Sequence, residues 1–268
     1  MNAHSTELRH QRSMGTARAG YALRRGRAQV QALHQRGSAK AIALDGGEMV
    51  FLNTSGGLTG GDVLEYGLSV GDGCTVTATT QTAERVYRSA SGHARMGVTL
   101  DVGAGAHLDW LPQETILFQR ARARRRTQIT LAPGATCLSV ETLVLGRAAM
   151  GETVSALNFH DLRMIRRGDT PLHIEALALD SARLGASSAG LGGARALATL
   201  VRIGPGADAA RDALRPVLDD PDCHAAASCP DGRLVVRLMA RDGWPLRRCL
   251  ARILTILRGR ALPRVWQI

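Results

Sequence analysis

Carboxylates and a histidine on the apolar faces of predicted strands are the side chains of this sequence best suited to chemistry. Glu141, His173 and Glu175 each share a strand face with leucines, at a spacing of two residues. Glu84 continues the same spacing beyond an earlier strand. A carboxylate on an apolar face must be ion-paired, hydrated or bound to a metal, because an isolated buried charge costs many kcal/mol. Carboxylate and imidazole groups are acceptable ligands for borderline divalent cations such as nickel or zinc. The four residues predict a polar interior or a water-filled passage, with ordinary ion pairs as the alternative.

A glycine-rich segment, residues 53–62 (NTSGGLTGGD), follows a short apolar run. It has no Lys-Ser/Thr pair after its last glycine and does not match G-x-G-x-x-G, so it is not a nucleotide-binding loop. Glycines allow the backbone positive φ angles and a close approach to neighbouring groups. The segment predicts either a tight loop between strands or a loop that contacts a ligand or partner. Its candidate residues are Gly56, Gly57, Gly60, Gly61 and Asp62.

Enzyme motifs and tight metal-site motifs are missing from the sequence. There is no G-x-S-x-G elbow and no His-Glu-x-x-His pair, so no catalytic residue is predicted, and a hydrolase would need a nucleophile–base pair for which no motif exists. Cys223, His224 and Cys229 form a loose cluster without the paired spacing of zinc sites. We interpret this cluster as part of a turn, with a metal site as the alternative.

Arginine supplies nearly all of the positive charge. The net charge is +11, and Lys40 is the only lysine. Arginine binds carboxylates and phosphates with a rigid fork, so an acidic partner is expected. Residues 120–126 hold five arginines, which predicts a solvated hairpin, a docking patch for an acidic protein, or a nucleic-acid site. Aromatic residues make up 3% of the chain, too few for stacking on single strands, so we expect no nucleic-acid partner. The candidate partner residues are Arg122, Arg124, Arg125 and Trp266.

The compartment and the domain organisation follow from simple counts. Five cysteines without framework spacing favour a reducing compartment. The first twenty residues lack an apolar block, and no run approaches the roughly 18 apolar residues of a membrane span. We expect a soluble, cytoplasmic protein without a membrane partner. Residues 1–20 are predicted to form a flexible segment, and residues 21–268 a single domain.

Short strands dominate the predicted secondary structure, and two helices follow them. A glycine followed by a small residue opens a strand at Gly73, Gly105 and Gly134, roughly every 30 residues, which is compatible with a stacked architecture or an antiparallel sandwich. One helix is predicted over residues 207–218. A second, amphipathic helix is predicted to have Pro245 in its first turn and to stop at Gly259. The predicted strands are 76–80, 96–102, 107–111, 127–131, 137–145, 153–165, 172–179, 196–203 and 234–239.

Four segments and the C-terminus together resemble the urease accessory protein D family, called H in some species. The segments are residues 53–62, residues 80–89 (TQTAERVYRS), residues 110–118 (WLPQETILF) and residues 144–152 (VLGRAAMGE), followed by the ending LPRVW at 262–266. Each match is weak alone, but the ordered set is specific. The family fold is mainly β, a layered, helix-like stack of strands with a small C-terminal helical portion.

The resemblance implies a non-enzymatic chaperone that binds apo-urease and helps to insert nickel. Members act with accessory proteins F and G, of which G is a GTPase, while accessory protein E commonly supplies nickel. The family also implies an internal water-filled passage, for which Asp62, Glu84, Glu141 and Glu175 are the lining candidates, with His173 beside them. Transfer requires exchangeable ligands, so we expect transient nickel and no tightly bound cofactor. A basic nucleic-acid-binding module is the alternative function.

Overall fold

The computed structural model describes residues 12–184 and 190–267. Three α-helices are described, α1 (Ser181–Leu184), α2 (Ala207–Leu218) and α3 (Gly243–Arg258). In chain order, the strands are β1 (Met14–Arg24), β2 (Arg27–Gly37), β3 (Ala39–Leu44), β4 (Glu48–Asn53), β5 (Val63–Val70), β6 (Thr75–Gln81), β7 (Glu84–Val86), β8 (Ala94–Val102), β9 (His107–Leu111), β10 (Thr115–Leu117), β11 (Arg122–Leu131), β12 (Thr136–Leu145), β13 (Asn158–Arg167), β14 (Thr170–Asp180), β15 (Ala196–Ile203), β16 (Asp219–Asp220), β17 (Cys223–Ser228) and β18 (Leu234–Ala240).

The strands form a β-solenoid-like stack of about 4 turns. Each turn places one strand in a seven-stranded sheet, with order β14-β13-β11-β8-β5-β1-β2, and the next in an eleven-stranded sheet, with order β16-β17-β18-β15-β12-β9-β6-β4-β3. Neighbours from successive turns, such as β5, β8, β11 and β13, pair in parallel. The short strands β7 and β10 complete the eleven strands of the second sheet, in which β10 pairs with both β12 and β7. The predicted mainly β, layered stack is confirmed.

The recurring glycines form the corners between the two sheets. Gly73, Gly105 and Gly134 have φ angles of +66°, +62° and +71°, a left-handed conformation that favours glycine. The Gly73 amide donates to the Ala104 carbonyl of the next turn at 2.9 Å, and the Gly105 amide donates to the Pro133 carbonyl at 3.2 Å. The glycine pattern therefore marks stacked turns rather than hairpins of an antiparallel sandwich.

Two apolar cores lie on opposite faces of the eleven-stranded sheet. One fills the space between the sheets and includes Trp110 and Phe159. The other packs β15 and β18 against α2 and α3. Both predicted helices are confirmed, and α3 ends at Gly259, whose φ of +59° allows a left-handed cap. Within the described residues, no helix combines the length and apolarity that a membrane crossing needs.

The C-terminal tail docks on its own sheet. Trp266 is only 6% exposed, and its indole nitrogen donates to the Leu111 carbonyl at 3.0 Å. The Arg247 guanidinium lies 4.9 Å from the centre of the indole ring. The prediction of Trp266 as a partner surface is therefore wrong, because the ring is buried in the helical core.

The end of α3 is fixed to the sheet by a buried carboxylate. Asp109 is 1% exposed and accepts hydrogen bonds from Arg258 Nε at 2.9 Å, Arg260 Nη2 at 2.6 Å and His107 Nε2 at 2.9 Å. Burial alone would raise the pKa of Asp109, but His107 and Arg258 hold it well below its usual range.

The N-terminal prediction needs a correction. Residues from Met14 onward belong to β1, which pairs with both β2 and β5, so the predicted flexible segment of residues 1–20 is wrong for that part. Residues 1–11 lie outside the described residues. Alanine, glycine and glutamine are frequent in β1 and β2, and β2 is exposed along nearly its whole length, which explains why neither gives a clear strand signal.

Candidate functional site

A buried arginine lies at the centre of a polar network between the two sheets. Arg125 is 6% exposed, on the inward face of β11. Its Nε and Nη2 donate to the two carboxylate oxygens of Asp161 at 3.0 and 2.7 Å, and its Nη1 lies 2.7 Å from Glu141 Oε2. The bidentate pair between Arg125 and Asp161 is the strongest geometry that an arginine and a carboxylate adopt.

The structure corrects the interpretation of the arginine run. Residues 120–126 do not form a hairpin, because β11 begins at Arg122 and lies inside the parallel sheet. Arg122 and Arg124 are exposed on its outer face, whereas Arg125 points inward. The prediction of Arg125 as a partner-surface residue is wrong, since the alternation of the strand buries it.

Glu141 is held on every side by hydrogen-bond donors. It is 4% exposed on β12, and its Oε1 accepts from Thr127 Oγ1 at 3.0 Å and from Trp110 Nε1 at 3.3 Å. Its Oε2 faces Arg125. Both oxygens of this buried carboxylate therefore have polar partners.

The network continues from Asp161 towards the opposite side of the stack. Arg163 Nε lies 3.0 Å from Asp161 Oδ2, and Arg163 Nη1 lies 3.2 Å from Glu175 Oε2. His173 Nε2 lies 3.7 Å from the same Glu175 oxygen, and the exposed Arg237 reaches the other oxygen at 3.5 Å. Negative and positive groups therefore alternate from the interior to the surface.

Neighbouring charges lower the pKa of two carboxylates of the network, Asp161 and Glu175. Burial alone would raise the pKa of Asp161, but Arg125 and Arg163 lower it. Burial opposes ionisation of Glu175 as well, yet the neighbouring His173, Arg163 and Arg237 bring its pKa to about 2.

Two buried atoms at the Glu175 end of this network have charged neighbours but no hydrogen bond within the described part of the chain. Among the described residues, His173 Nε2 and Glu175 Oε2 are buried and have no partner with hydrogen-bond geometry. Buried polar atoms are normally satisfied, so this imidazole–carboxylate pair has unused capacity for a water or a cation.

Glu141 forms part of the wall of two interior cavities. The first, with a volume of about 80 Å³, has room for several water molecules and is also lined by Glu84, Thr115 and Arg125. The second, of about 10 Å³, is lined by Glu141 together with Arg163 and His173. Glu84 and Glu141 thus share the first cavity, Glu141 and His173 share the second, and Glu175 contacts His173.

Glu84 lies where the first cavity approaches solvent. It is half-buried on β7, beside the exposed rim residues Gln81 and Thr82, and its carboxylate accepts hydrogen bonds from Asn53 Nδ2 at 3.2 and 3.3 Å. Burial, only partly offset by Asn53 and the neighbouring Arg85, raises the pKa of Glu84 to about 7. This carboxyl group therefore titrates near neutral pH.

Replacing Glu84 with glutamine is expected to change the pH dependence of stability. Because the folded state raises the pKa from 4.5 to about 7, it binds the proton more tightly than the unfolded state does. The stabilisation from this proton is complete below pH 4.5 and is lost as the pH rises to about 7. Urea unfolding at pH 8 should therefore find Glu84→Gln more stable than wild type by about 1–3 kcal/mol, with little difference at pH 4.5. Equal differences at both pH values would contradict the raised pKa.

The glycine loop packs against the segment that carries Glu84. Gly57 has a φ of +142°, and a Cβ there would lie 2.8 Å from the Arg85 carbonyl oxygen. A Cβ on Gly60 would lie 2.0 Å from Ser89 Oγ and from the Ser91 carbonyl oxygen. Gly56 and Gly57 line the first cavity, so the close approach of the backbone shapes its mouth.

Asp62 supports the loop instead of lining the cavity. Its Oδ1 accepts from the Ser13 amide and its Oδ2 from the Thr59 amide, both at 2.8 Å. It is absent from the residues that line the cavity with Glu84. Asp62 lines a separate pocket with Gly57 and Thr59, and backbone donors occupy both its carboxylate oxygens, so its role as a passage-lining residue stays a prediction.

The cysteine cluster does not converge. Cys223 is buried beside Cys249 in the helical core, while His224 is exposed. Cys229 Sγ donates to the Ala207 carbonyl at 3.2 Å. The three residues therefore occupy separate environments around β17.

Sequence reasoning missed three charged members of the network, namely Arg125 as an interior residue, Asp161 and Arg163. Asp161 and Arg163 lie on the same face of β13 as Phe159 and Ile165, at every second residue, and all four are buried. The same period-two signal that identified Glu141 was present there.

Comparison with known proteins identifies the family of the chain. A family model described as UreD urease accessory protein matches residues 13–267. The urease accessory protein UreD of Cereibacter sphaeroides is 59% identical over 263 residues, which cover 96% of each chain. The protein of the same name from Paracoccus denitrificans is 48% identical, covering 97% of this chain and 94% of its own. The one from Rhizobium leguminosarum bv. trifolii is 42% identical, covering 97% of each. The resemblance seen in the sequence is thereby confirmed, and the chain belongs to the UreD family of urease accessory proteins.

Proposed function

We propose that this protein is a non-enzymatic chaperone that binds apo-urease and passes nickel through its interior towards the urease active site. Membership of the UreD family supplies the general role, which is urease maturation. The observation that carries the proposal is the position of Glu141, which borders both interior cavities. In the proposed path, nickel enters beside Glu84, passes Glu141 and reaches His173 and Glu175.

The chemistry of these side chains suits a divalent cation in transit. Carboxylate oxygens and an imidazole nitrogen are ligands that nickel accepts. His173 Nε2 and Glu175 Oε2 have unused bonding capacity and lie 3.7 Å apart, close enough to share one cation. Glu84 is largely protonated below pH 7, so a cation that binds there would displace a proton.

The arginines keep binding along the path weak. Arg125 already neutralises Glu141, and Arg163 approaches Glu175. An incoming cation must therefore compete with a guanidinium for each carboxylate, which lowers its affinity and favours release. Transfer requires this exchangeable binding, whereas a site built to retain the metal would oppose it.

We propose accessory proteins F and G as the partners in this step, of which G is a GTPase. Accessory protein E supplies the nickel. The support is family membership together with the arginine-rich surface of the chain. No catalytic group is assigned to this protein, whose contribution is to hold apo-urease and guide the metal.

Complementation in a host that expresses urease and the other accessory proteins tests the function. Cells without this chain should make urease protein with little activity, and the wild-type chain should restore activity and copurify with apo-urease. Full urease activity without the chain, at nickel concentrations that limit activation, would contradict the proposal. A copurifying chain that leaves urease inactive would contradict the delivery step.

A further inference from the structure

Four arginines form an exposed basic surface on the outer face of the seven-stranded sheet. Arg95 on β8 lies directly across from Arg124 on β11, and Arg122 and Arg126 flank Arg124 on the same strand face. Arg124 is also paired in register with the exposed His160 of β13. We call Arg95, Arg122, Arg124 and Arg126 the arginine surface.

The arginine surface is left without internal neutralisation. In residues 12–184 and 190–267, no carboxylate lies within 4.0 Å of any of its four guanidinium groups. Like charges directly across a strand pair, as in Arg95 and Arg124, are destabilising. By contrast, the inward-facing Arg125 of the same strand contacts two carboxylates. An anionic partner would remove the repulsion and use the free donors.

Apolar side chains beside the arginine surface indicate what kind of partner fits. Leu162 is the register neighbour of Arg126, and Met164 follows it on the outer face of β13. Met164 pairs in turn with Ile174 of β14, which is 55% exposed. Protein interfaces combine arginine and methionine with apolar contacts, whereas nucleic-acid backbones offer charge with little apolar surface.

We infer that the arginine surface, together with the Leu162–Met164–Ile174 strip, docks a carboxylate-rich face of a protein partner in urease maturation. The inference rests on the proposed function only for the assignment of the partner to urease maturation. The docking of carboxylates and apolar groups is inferred from the side chains of this surface. Carboxylates bind the guanidinium forks, and apolar side chains of the partner cover the strip. The interior network lies on the opposite face of the same strands, so docking leaves the cavities unblocked.

Charge reversal at the centre of the arginine surface tests the inference. The test variant is Arg122→Glu/Arg124→Glu, and the matched control is Arg24→Glu/Arg27→Glu, at the opposite end of the same sheet. All four positions are exposed, and both variants change the net charge equally. Labelled poly-L-glutamate and a labelled DNA duplex serve as probes for the full chain at physiological salt. The same variants are then co-expressed with apo-urease and the other accessory proteins, and the purified complex is quantified.

The test variant should bind poly-L-glutamate about tenfold more weakly and lose most of the purified complex, while the control stays within about twofold of wild type. Equal losses in both variants would mean that net charge alone acts, and would overturn the inference. A loss confined to the DNA probe would also overturn it, in favour of a nucleic-acid site. An undiminished complex with the test variant would overturn the assignment to maturation while the proposed function stands. Failure of the wild-type chain to activate urease would instead contradict the proposed function.

Discussion

Replacement of Arg125 with methionine is expected to lower the free energy of unfolding by about 3–5 kcal/mol. The substitution removes the only side chain that contacts both Asp161 and Glu141 among the described residues. Asp161 is 2% exposed and Glu141 is 4% exposed, so water cannot readily replace the lost guanidinium. Breaking a buried ion pair by removing one partner leaves an uncompensated charge, which is the costly case.

Urea denaturation of the two neighbouring arginine variants measures this effect. Arg124→Met makes the same chemical change one residue away on the exposed face of β11, and its unfolding midpoint should stay close to that of wild type. Adding Asp161→Asn to Arg125→Met should recover part of the lost stability, because it removes one of the stranded charges. Equal midpoints for Arg125→Met and Arg124→Met would contradict the buried network.

The fold was largely predictable because its signals are local. Alternating apolar residues identified nine of the eighteen strands of the described residues, and the glycines at 73, 105 and 134 marked the corners. Whether those corners joined stacked turns or hairpins could not be decided from their spacing, because both use glycine with positive φ. The decisive hydrogen bonds, such as Gly105 to Pro133, join different turns and leave no local trace in the sequence.

The sequence identified only part of the candidate site, because neither partner of the Arg125–Asp161 and Arg163–Asp161 ion pairs was predicted as an interior residue. Glu141 and His173 stood out because they interrupt apolar faces. Arg125 did not, because a run of arginines conceals the alternation that buries one of them. The hydrogen bonds of Asp62 were not predictable either, since the sequence does not show that both its oxygens accept backbone amides. Side-chain partners depend on register between distant strands, which composition and spacing do not specify.

Glu141→Gln tests the proposal that a cation passes the carboxylate of Glu141 between the two cavities. Glutamine has nearly the same shape and retains an oxygen that can accept hydrogen bonds from Trp110 and Thr127, but it lacks the negative charge that attracts nickel. Glu141→Asp keeps the charge, and Glu65→Gln on the exposed outer face of β5 is the matched control. Each variant must first show a cooperative unfolding transition and copurify with apo-urease, so that a folding or docking defect is separated from a transfer defect.

The deciding measurement is the rate of urease activation at limiting nickel in cells that carry each variant. We expect Glu141→Gln to lower the rate about tenfold or more, Glu141→Asp to retain an intermediate rate, and Glu65→Gln to match wild type. Excess nickel should restore most of the activity of Glu141→Gln, because spontaneous loading then bypasses the passage. A folded, urease-bound Glu141→Gln protein that activates urease at the wild-type rate under limiting nickel would contradict the passage.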